Sequence, residues 1–354
     1  MVGVRRNTAM NDSTKEGWGG INPYSHLIVS AENCFLCGGE LADHKSDEHI
    51  FPQWLLRRHN LWNHEITLSN RTRIPYRQLT IPCCGECNTK YLSQLESRVG
   101  NAFQNGAVAV RELPETDIFI WVAKINYGLT FKECFLLYDQ ADPGAGTIVN
   151  PDYTKTLDTL HGFMQAVRLQ MGFERPHPWS IFVFETHAYP GEMDFDWHGT
   201  PWKQLTFTIR SHGVGIIASL LDNAGQTGLF GDAFRAIGEL RLHPIQFDEL
   251  SAMSVYQASL LDRTPKYISA GPAEGGPIQV FSMPLGGFSM KPVYRNWDMK
   301  NYARLLEYFW QPYGLAFEDI YAGNEMVRTT VETDGGSFPM MDAEGKIIGT
   351  RDIW

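Results

Sequence analysis

Long apolar runs are missing from this 354-residue chain, and so are glycine-rich phosphate loops, internal repeats and low-complexity tracts. The first absence excludes a membrane-spanning helix, which needs roughly 18 or more consecutive apolar residues. The polar start, MVGVRRNTAMNDSTKEGWGG, lacks the apolar centre of a secretory signal, so a cytoplasmic protein with a flexible lead over 1–26 is expected. Cysteine is scarce as well. Six in a chain this long do not make a disulfide framework, and in a reducing compartment paired Cys-x-x-Cys segments are more often metal ligands. Cys134, alone in FKECFLLY, reads as a buried core thiol.

What is present is uneven in charge. The net charge is -10, which argues against a nucleic-acid binder until its distribution is examined. Residues 1–112 carry 12 Lys and Arg against 11 Asp and Glu, leaving 18 against 29 for the remainder. Within 57–98 seven basic residues face three acidic ones, and that segment alone is suited to meet a polyanion.

An apolar content of 43% predicts a folded chain of mixed α+β class. EHIFP and YRQLTIPCC suit two short strands, and NTKYLSQLESRVGNAFQNG carries Leu92, Leu95, Val99 and Phe103 at helical spacing with Gly106 at its end. The charged, Pro-marked stretch VRELPETD predicts a joint, giving a unit over 27–112 and a larger α+β unit over 113–354. In the latter, TDIFIWVAKINYGLTFKECFLL, DYTKTLDTLHGFMQAVRLQM, FDELSAMSVYQASLL and NYARLLEYFW predict helices. WSIFVFETH and QLTFTIRSHGVGIIASLL predict strands, and SFPMMDAEGKIIGTRDIW a terminal hairpin.

Five cysteines lie between positions 34 and 87, in CFLC and CCGEC. A Cys-x-x-Cys turn presents two thiolates on one knuckle, and two knuckles complete the tetrahedral shell of a structural zinc ion. Cys34, Cys37, Cys84 and Cys87 fit that pattern, although Cys83 offers an alternative to Cys84. The 46 residues between the knuckles imply a small fold inserted between them and stapled by the metal.

Between the knuckles runs DEHIFP, and Asn88 directly follows the last cysteine. This combination resembles the zinc-stapled HNH branch of the His-Me finger (ββα-metal) endonucleases over about 34–98, and fused layouts of this kind resemble bacterial restriction and anti-phage effectors. The resemblance implies a strand, loop, strand and helix, hydrolysis of phosphodiester bonds, and double-stranded DNA as partner. It assigns His49 as general base, with Glu48 and Asn88 holding a catalytic Mg²⁺ or Mn²⁺ beside the structural Zn²⁺. Histidine, with its ordinary pKa near 6.5, suits the removal of a proton from water. Where relatives carry a central Asn that orients the His, this chain offers Gln78, or else Asn63 or Asn70.

Arg71, Arg73, Arg77 and Lys90, with Arg57 and Arg58, are candidates for phosphate contacts, each also readable as a solvated surface charge. Trp54 and Trp62 suit packing over the knuckles or stacking on bases. Glu96, two helical turns from Asn88, suits a supporting role. The acidic remainder suggests restraint, sensing of a small-molecule activator, or homo-oligomerisation, and its scattered histidines read as structural. A competing reading is a zinc-stapled nucleic-acid-binding or assembly module that does not cut.

Overall fold

The computed structural model describes residues 29–41, 45–149, 154–188, 194–200, 205–271, 276–323 and 326–331. The expected terminal hairpin and the lead over 1–26 lie outside them. Among the described residues no helix is long and apolar enough to cross a membrane.

Strand β1 (Lys45–His49) pairs antiparallel with β4 (Thr80–Cys84), setting Glu48 opposite Ile81 and His49 opposite Thr80. Pro52 follows His49 closely, and, as the residue before the first helical position, it opens α1 (Gln53–Arg58), which buries Leu55 and Leu56. A hairpin of β2 (Glu65–Thr67) and β3 (Arg73–Pro75) fills the space before β4. The chain then makes a π turn over Cys87–Leu92 and continues as α2 (Ser93–Gln104), burying Leu95, Val99 and Phe103. Gly106, at φ 88°, ends this helix in a conformation that costs other residues a steric clash.

After the short α3 (Ala107–Arg111) and Pro114 comes α4 (Glu115–Glu133). Nearly every position from Ile118 to Phe131 is buried, so α4 is apolar all round and central. It packs on α2, on β4 and on α5 (Thr154–Met164). One hydrophobic core runs without a break from Cys34 through Phe51, Leu95, Trp121 and Phe163 to Val280. The joint expected at 110–117 falls on the end of α3, Pro114 and the start of α4, and residues of 27–112 and residues after 113 contribute to the same core.

The larger part is mixed α+β. After β5 (Met171–Phe173) come β6 (Ser180–Thr186), β7 (Phe195–Gly199), β8 (Thr206–Ser211) and β9 (Val214–Ser219), then α6 (Gly225–Ile237) and β10 (Arg241–Leu242). Five of these strands form a sheet in the order β10-β6-β9-β8-β7. α7 (Pro244–Ser259) lies on it, with the Phe247 ring so close to Gly215 that a Cβ there would meet a ring carbon at 2.4 Å. β11 (Tyr267–Ala270) and β12 (Ile278–Ser282) form a smaller sheet with β5, and α8 (Met299–Trp310) packs against α7. Cys134 is half-buried, a correction to the buried position expected for it; its Sγ lies 3.4 Å from the Thr130 carbonyl.

Candidate functional site

The thiols of Cys34, Cys37, Cys84 and Cys87 lie within 4.8 Å of one another, and the Cys37 and Cys84 sulfurs are 3.9 Å apart. Four sulfurs at about 2.3 Å from a zinc ion stand roughly 3.8 Å from each other, so this cluster fits the metal expected from the spacing. Backbone bonds shape the first knuckle: Gly38 N–H donates to the Cys34 carbonyl at 2.9 Å, and Phe35 N–H to the Pro82 carbonyl on β4 at 2.9 Å. In the second knuckle, Cys87 N–H points at the Cys84 sulfur from 3.4 Å. Strand alternation decides between the adjacent cysteines, because neighbours in β4 face opposite ways and Cys83 is the one turned with Ile81 into the core. Its sulfur, 4.0 Å from that of Cys34, borders the cluster without joining the set of four. His161 on α5 and Gln165 in the 3-10 turn that follows it reach the carbonyls of Phe35 and Leu36 at 2.8–3.0 Å, bracing the first knuckle from the larger part of the chain.

A cavity of about 470 Å³ opens beside β1 and is lined by Asp47, Glu48, His49, Gln53, Asn88 and Glu96, among others. Asn88 is carried in the π turn, a wide turn of the kind that recurs at functional positions, and its amide nitrogen donates to Ser46 Oγ at 2.9 Å. That use of the nitrogen leaves Oδ1 as the group's donor atom for a cation. Glu96 follows on the same side of the helix, two turns further on.

At the back of the cavity stands a residue that sequence reasoning missed. Lys124, fully buried in α4, sends its ammonium to Glu48 Oε1 at 2.6 Å, Glu96 Oε1 at 2.5 Å and the His49 carbonyl at 2.8 Å. Burial alone would lower the Lys124 pKa, but the charges of Glu48 and Glu96 together outweigh it and hold it above its ordinary value. Burial pushes the Glu48 carboxyl up against the opposing pull of Lys124. Burial first, and Lys124 second, hold the His49 imidazole below its ordinary value, which keeps the ring neutral near pH 7. The only signal in the sequence was a lone lysine within the apolar run DIFIWVAKINYG.

The donors around the cavity are hard oxygens: Glu48 Oε2, which Lys124 does not take, Asn88 Oδ1 and the carboxylates of Glu96 and Asp47. Oxygens are the donor type that Mg²⁺ or Mn²⁺ takes, whereas the close-set group of His, Cys, Asp or Glu ligands found among the described residues is the four-thiol cluster. Lys124 already balances one of the negative charges.

The bond to the His49 ring comes from a different glutamine than expected. Gln53, one turn into α1, places its amide nitrogen 3.2 Å from His49 Nδ1. Gln78 is exposed in the turn before β4 and is not among the cavity's lining residues, which corrects its assignment as the orienting group. Asn63 and Asn70 are also occupied elsewhere, the first by Arg77 at 2.6 Å and the second by the Leu137 carbonyl at 2.9 Å. The Trp62 ring lies tilted beside His49 at 5.4 Å between centroids, while Trp54 packs on Phe103 and Trp121 instead of on the knuckles.

Of the basic candidates, Arg73 pairs with Glu65 at 3.1 Å and Lys90 with Glu86 at 3.3 Å, while Arg71 is exposed at φ 66°. Exposed pairs of this kind are worth about 0–1 kcal/mol and yield readily to a phosphate. Arg57 is nearest to the site, donating to Gln53 Oε1 at 3.0 Å with its guanidinium 5.6 Å over the Trp62 ring. No protein-family model, curated protein or solved structure matches the chain.

Proposed function

We propose that this protein is a metal-dependent endonuclease of the HNH type, hydrolysing phosphodiester bonds in double-stranded DNA around a zinc-stapled site. The observation that carries this reading is the convergence of Glu48, His49, Asn88 and Glu96 on one cavity beside a four-thiol cluster. In this reading a neutral His49 takes the proton of a water molecule as its oxygen attacks phosphorus, and the 3′ oxygen departs. Glu48 and Asn88, with Glu96 beside them, would hold a divalent ion whose charge offsets that building on the phosphate. Arg57, Arg71, Arg73, Arg77 and Lys90 neutralise the backbone on either side. A defence or restriction role, with the acidic remainder sensing an activator or assembling copies, belongs to the same proposal.

A second reading has a specific observation behind it. Lys124 already occupies the space between Glu48 and Glu96, and a site neutralised by its own ammonium would bind nucleic acid without cutting it. Supercoiled plasmid incubated with Mg²⁺ or Mn²⁺ separates the two. The nuclease reading expects nicking by the full chain and a loss of about 10²–10⁴-fold in His49→Ala. Equal nicking by both proteins would refute it, and retention of plasmid without nicking would favour the binding module.

A further inference from the structure

A lobe of the larger part holds large apolar side chains in solvent. Ile268 on β11 and Phe281 on β12 face each other across the ladder, and both are exposed. Met283, two residues beyond Phe281, falls on the same side of the extended chain and is exposed as well. Met283 N–H donates to the Lys266 carbonyl at 2.9 Å, and from there the chain loops out through PLGGFSM. At the tip Phe288 and Met290 are 110% and 100% exposed, more than any other large apolar side chain among the described residues. The loop is built to keep them there. Gly287 N–H donates to the Pro284 carbonyl and Ser289 N–H to the Gly286 carbonyl, each at 3.1 Å, which makes two overlapping turns. Leu285 turns inward, so that a Cβ on Gly225 of α6 would meet its Cδ1 at 3.1 Å. Arg263 donates to Ser289 Oγ at 2.9 Å and to the Lys291 carbonyl at 2.6 Å. With Ser289 tied to Arg263, the residues on either side of it stay in solvent.

Charge decides what such a lobe fits. Positions 261–297 carry four basic residues against two acidic ones, within a remainder of the chain where 18 basic residues face 29 acidic. Arg263 and Arg295 spend donors on the Lys291 and Ser259 carbonyls, which leave their charge uncompensated. Lys266 and Lys291 are exposed, with no carboxylate on either among the described residues. Duplex DNA asks for more cations than this, because affinity for the backbone grows with the number of phosphates neutralised and two free ammonium groups neutralise few. Five large apolar side chains beside two lysines are the proportion that suits a bilayer interface, where association takes buried apolar area together with a basic patch. We infer that this lobe docks on a bilayer carrying anionic headgroups, with Phe288 and Met290 entering the acyl boundary and Lys266 and Lys291 meeting headgroup phosphates. The inference stands apart from the nuclease reading, since no residue of the lobe lines the cavity beside β1.

Co-sedimentation of the full chain with vesicles tests it, using phosphatidylcholine alone and phosphatidylcholine with an equal part of phosphatidylglycerol. The expected result is pelleting with the anionic set, weaker as salt is raised, and little with the neutral one. Phe288→Ser with Met290→Ser is expected to lower the partition coefficient about tenfold or more, and Lys266→Glu with Lys291→Glu to do the same. Phe288→Leu with Met290→Leu, which keeps the apolar character, is expected to bind as wild type does. All four positions are exposed, so the circular dichroism of every variant is expected to match wild type. A wild type that stays in the supernatant, that pellets equally with both sets, or that loses nothing in the Ser or Glu pair would overturn the inference. A chain that ignores vesicles but dimerises, and loses the dimer in the Ser pair, would overturn it in favour of a second copy. One that ignores vesicles and loses duplex retention in the Ser pair would do so in favour of DNA. Plasmid cleavage is scored separately: vesicle binding without any cleavage would sink the nuclease reading and leave the docking lobe standing.

Discussion

Replacing Lys124 with methionine removes the buried charge that holds the back of the cavity together. Two carboxylate oxygens lie 2.6 and 2.5 Å from Nζ, and at an effective dielectric of about 20 each contact is worth roughly 6 kcal/mol of attraction. Desolvation of three ions, several kcal/mol each, and repulsion between the carboxylates cancel most of that sum. What the variant loses is the compensation. Glu48, which is 5% exposed, stays buried with Glu96 beside it and no cation, a situation that costs about 3–5 kcal/mol. Urea unfolding followed by tryptophan fluorescence measures this, since Trp121 lies three residues away in the same helix and is fully buried. Adding Glu48→Gln to Lys124→Met is expected to recover most of the loss, because it removes the more deeply buried carboxylate and leaves only Glu96, which reaches solvent, without its partner. A Lys124→Met variant within 1 kcal/mol of wild type, or a double variant no more stable than the single one, would refute the reasoning by showing that the ammonium is not shared as described.

Two further outcomes follow from other parts of the molecule. Cys84→Ser is expected to reduce bound zinc from about one ion per chain to near none and to cost solubility, whereas Cys83→Ser keeps the ion; elemental analysis of the purified proteins decides this. Asp222 is fully buried, accepts from Ser180 Oγ at 2.8 Å and Gln226 N–H at 2.9 Å, and is pushed up by burial to about 7. A carboxyl raised in the folded state contributes stability that is complete below its unfolded value near 4 and lost as pH rises through 7. The stability of wild type relative to Asp222→Asn is accordingly expected to fall by about 1.4 kcal/mol per pH unit between roughly pH 4 and 7 and to level off above. Paired urea titrations across that range check it, and a difference independent of pH would show that Asp222 ionises as an exposed carboxylate does.

The parts of the site that were legible in the sequence are those fixed by local spacing. Two residues between cysteines set a knuckle, and the regular x-x spacing favoured Cys84, which strand alternation in β4 explains physically. The long helices α4, α5, α7 and α8 were legible from apolar content at helical spacing. α6 was not, because Gly225, Gly228 and Gly231 in GQTGLFGDAFRAI lower the helical signal that tertiary packing overrides. α1 and the β2-β3 hairpin were hidden for a different reason, being short elements whose apolar residues are too few to set a period. The contacts that finish the site were beyond spacing altogether: Lys124 meets Glu48 across 76 residues and Glu96 across 28. Gln53 was overlooked because the resemblance directed attention to the segment before the second knuckle, while the bond to His49 came from one helical turn after it.

Lys124 also changes what the joint after residue 112 means. A unit ending there keeps Glu48, His49, Asn88 and the four thiols but lacks the ammonium that neutralises Glu48 and Glu96, the Trp121 ring against Trp54 and the His161 and Gln165 side chains that brace Phe35 and Leu36. Two adjacent carboxylates without a counter-charge repel each other, and the energetically open route is for β1 and α2 to part or for one carboxyl to take up a proton. Either response alters the face that Glu48 shows to the cavity. α4 is thus a wall of the site as well as the first helix of the larger part, and a displacement of that helix would reach His49 through the bond from Nζ to its carbonyl. Any signal received by the residues beyond α4 has a physical path to Glu48 and His49 through this one buried side chain.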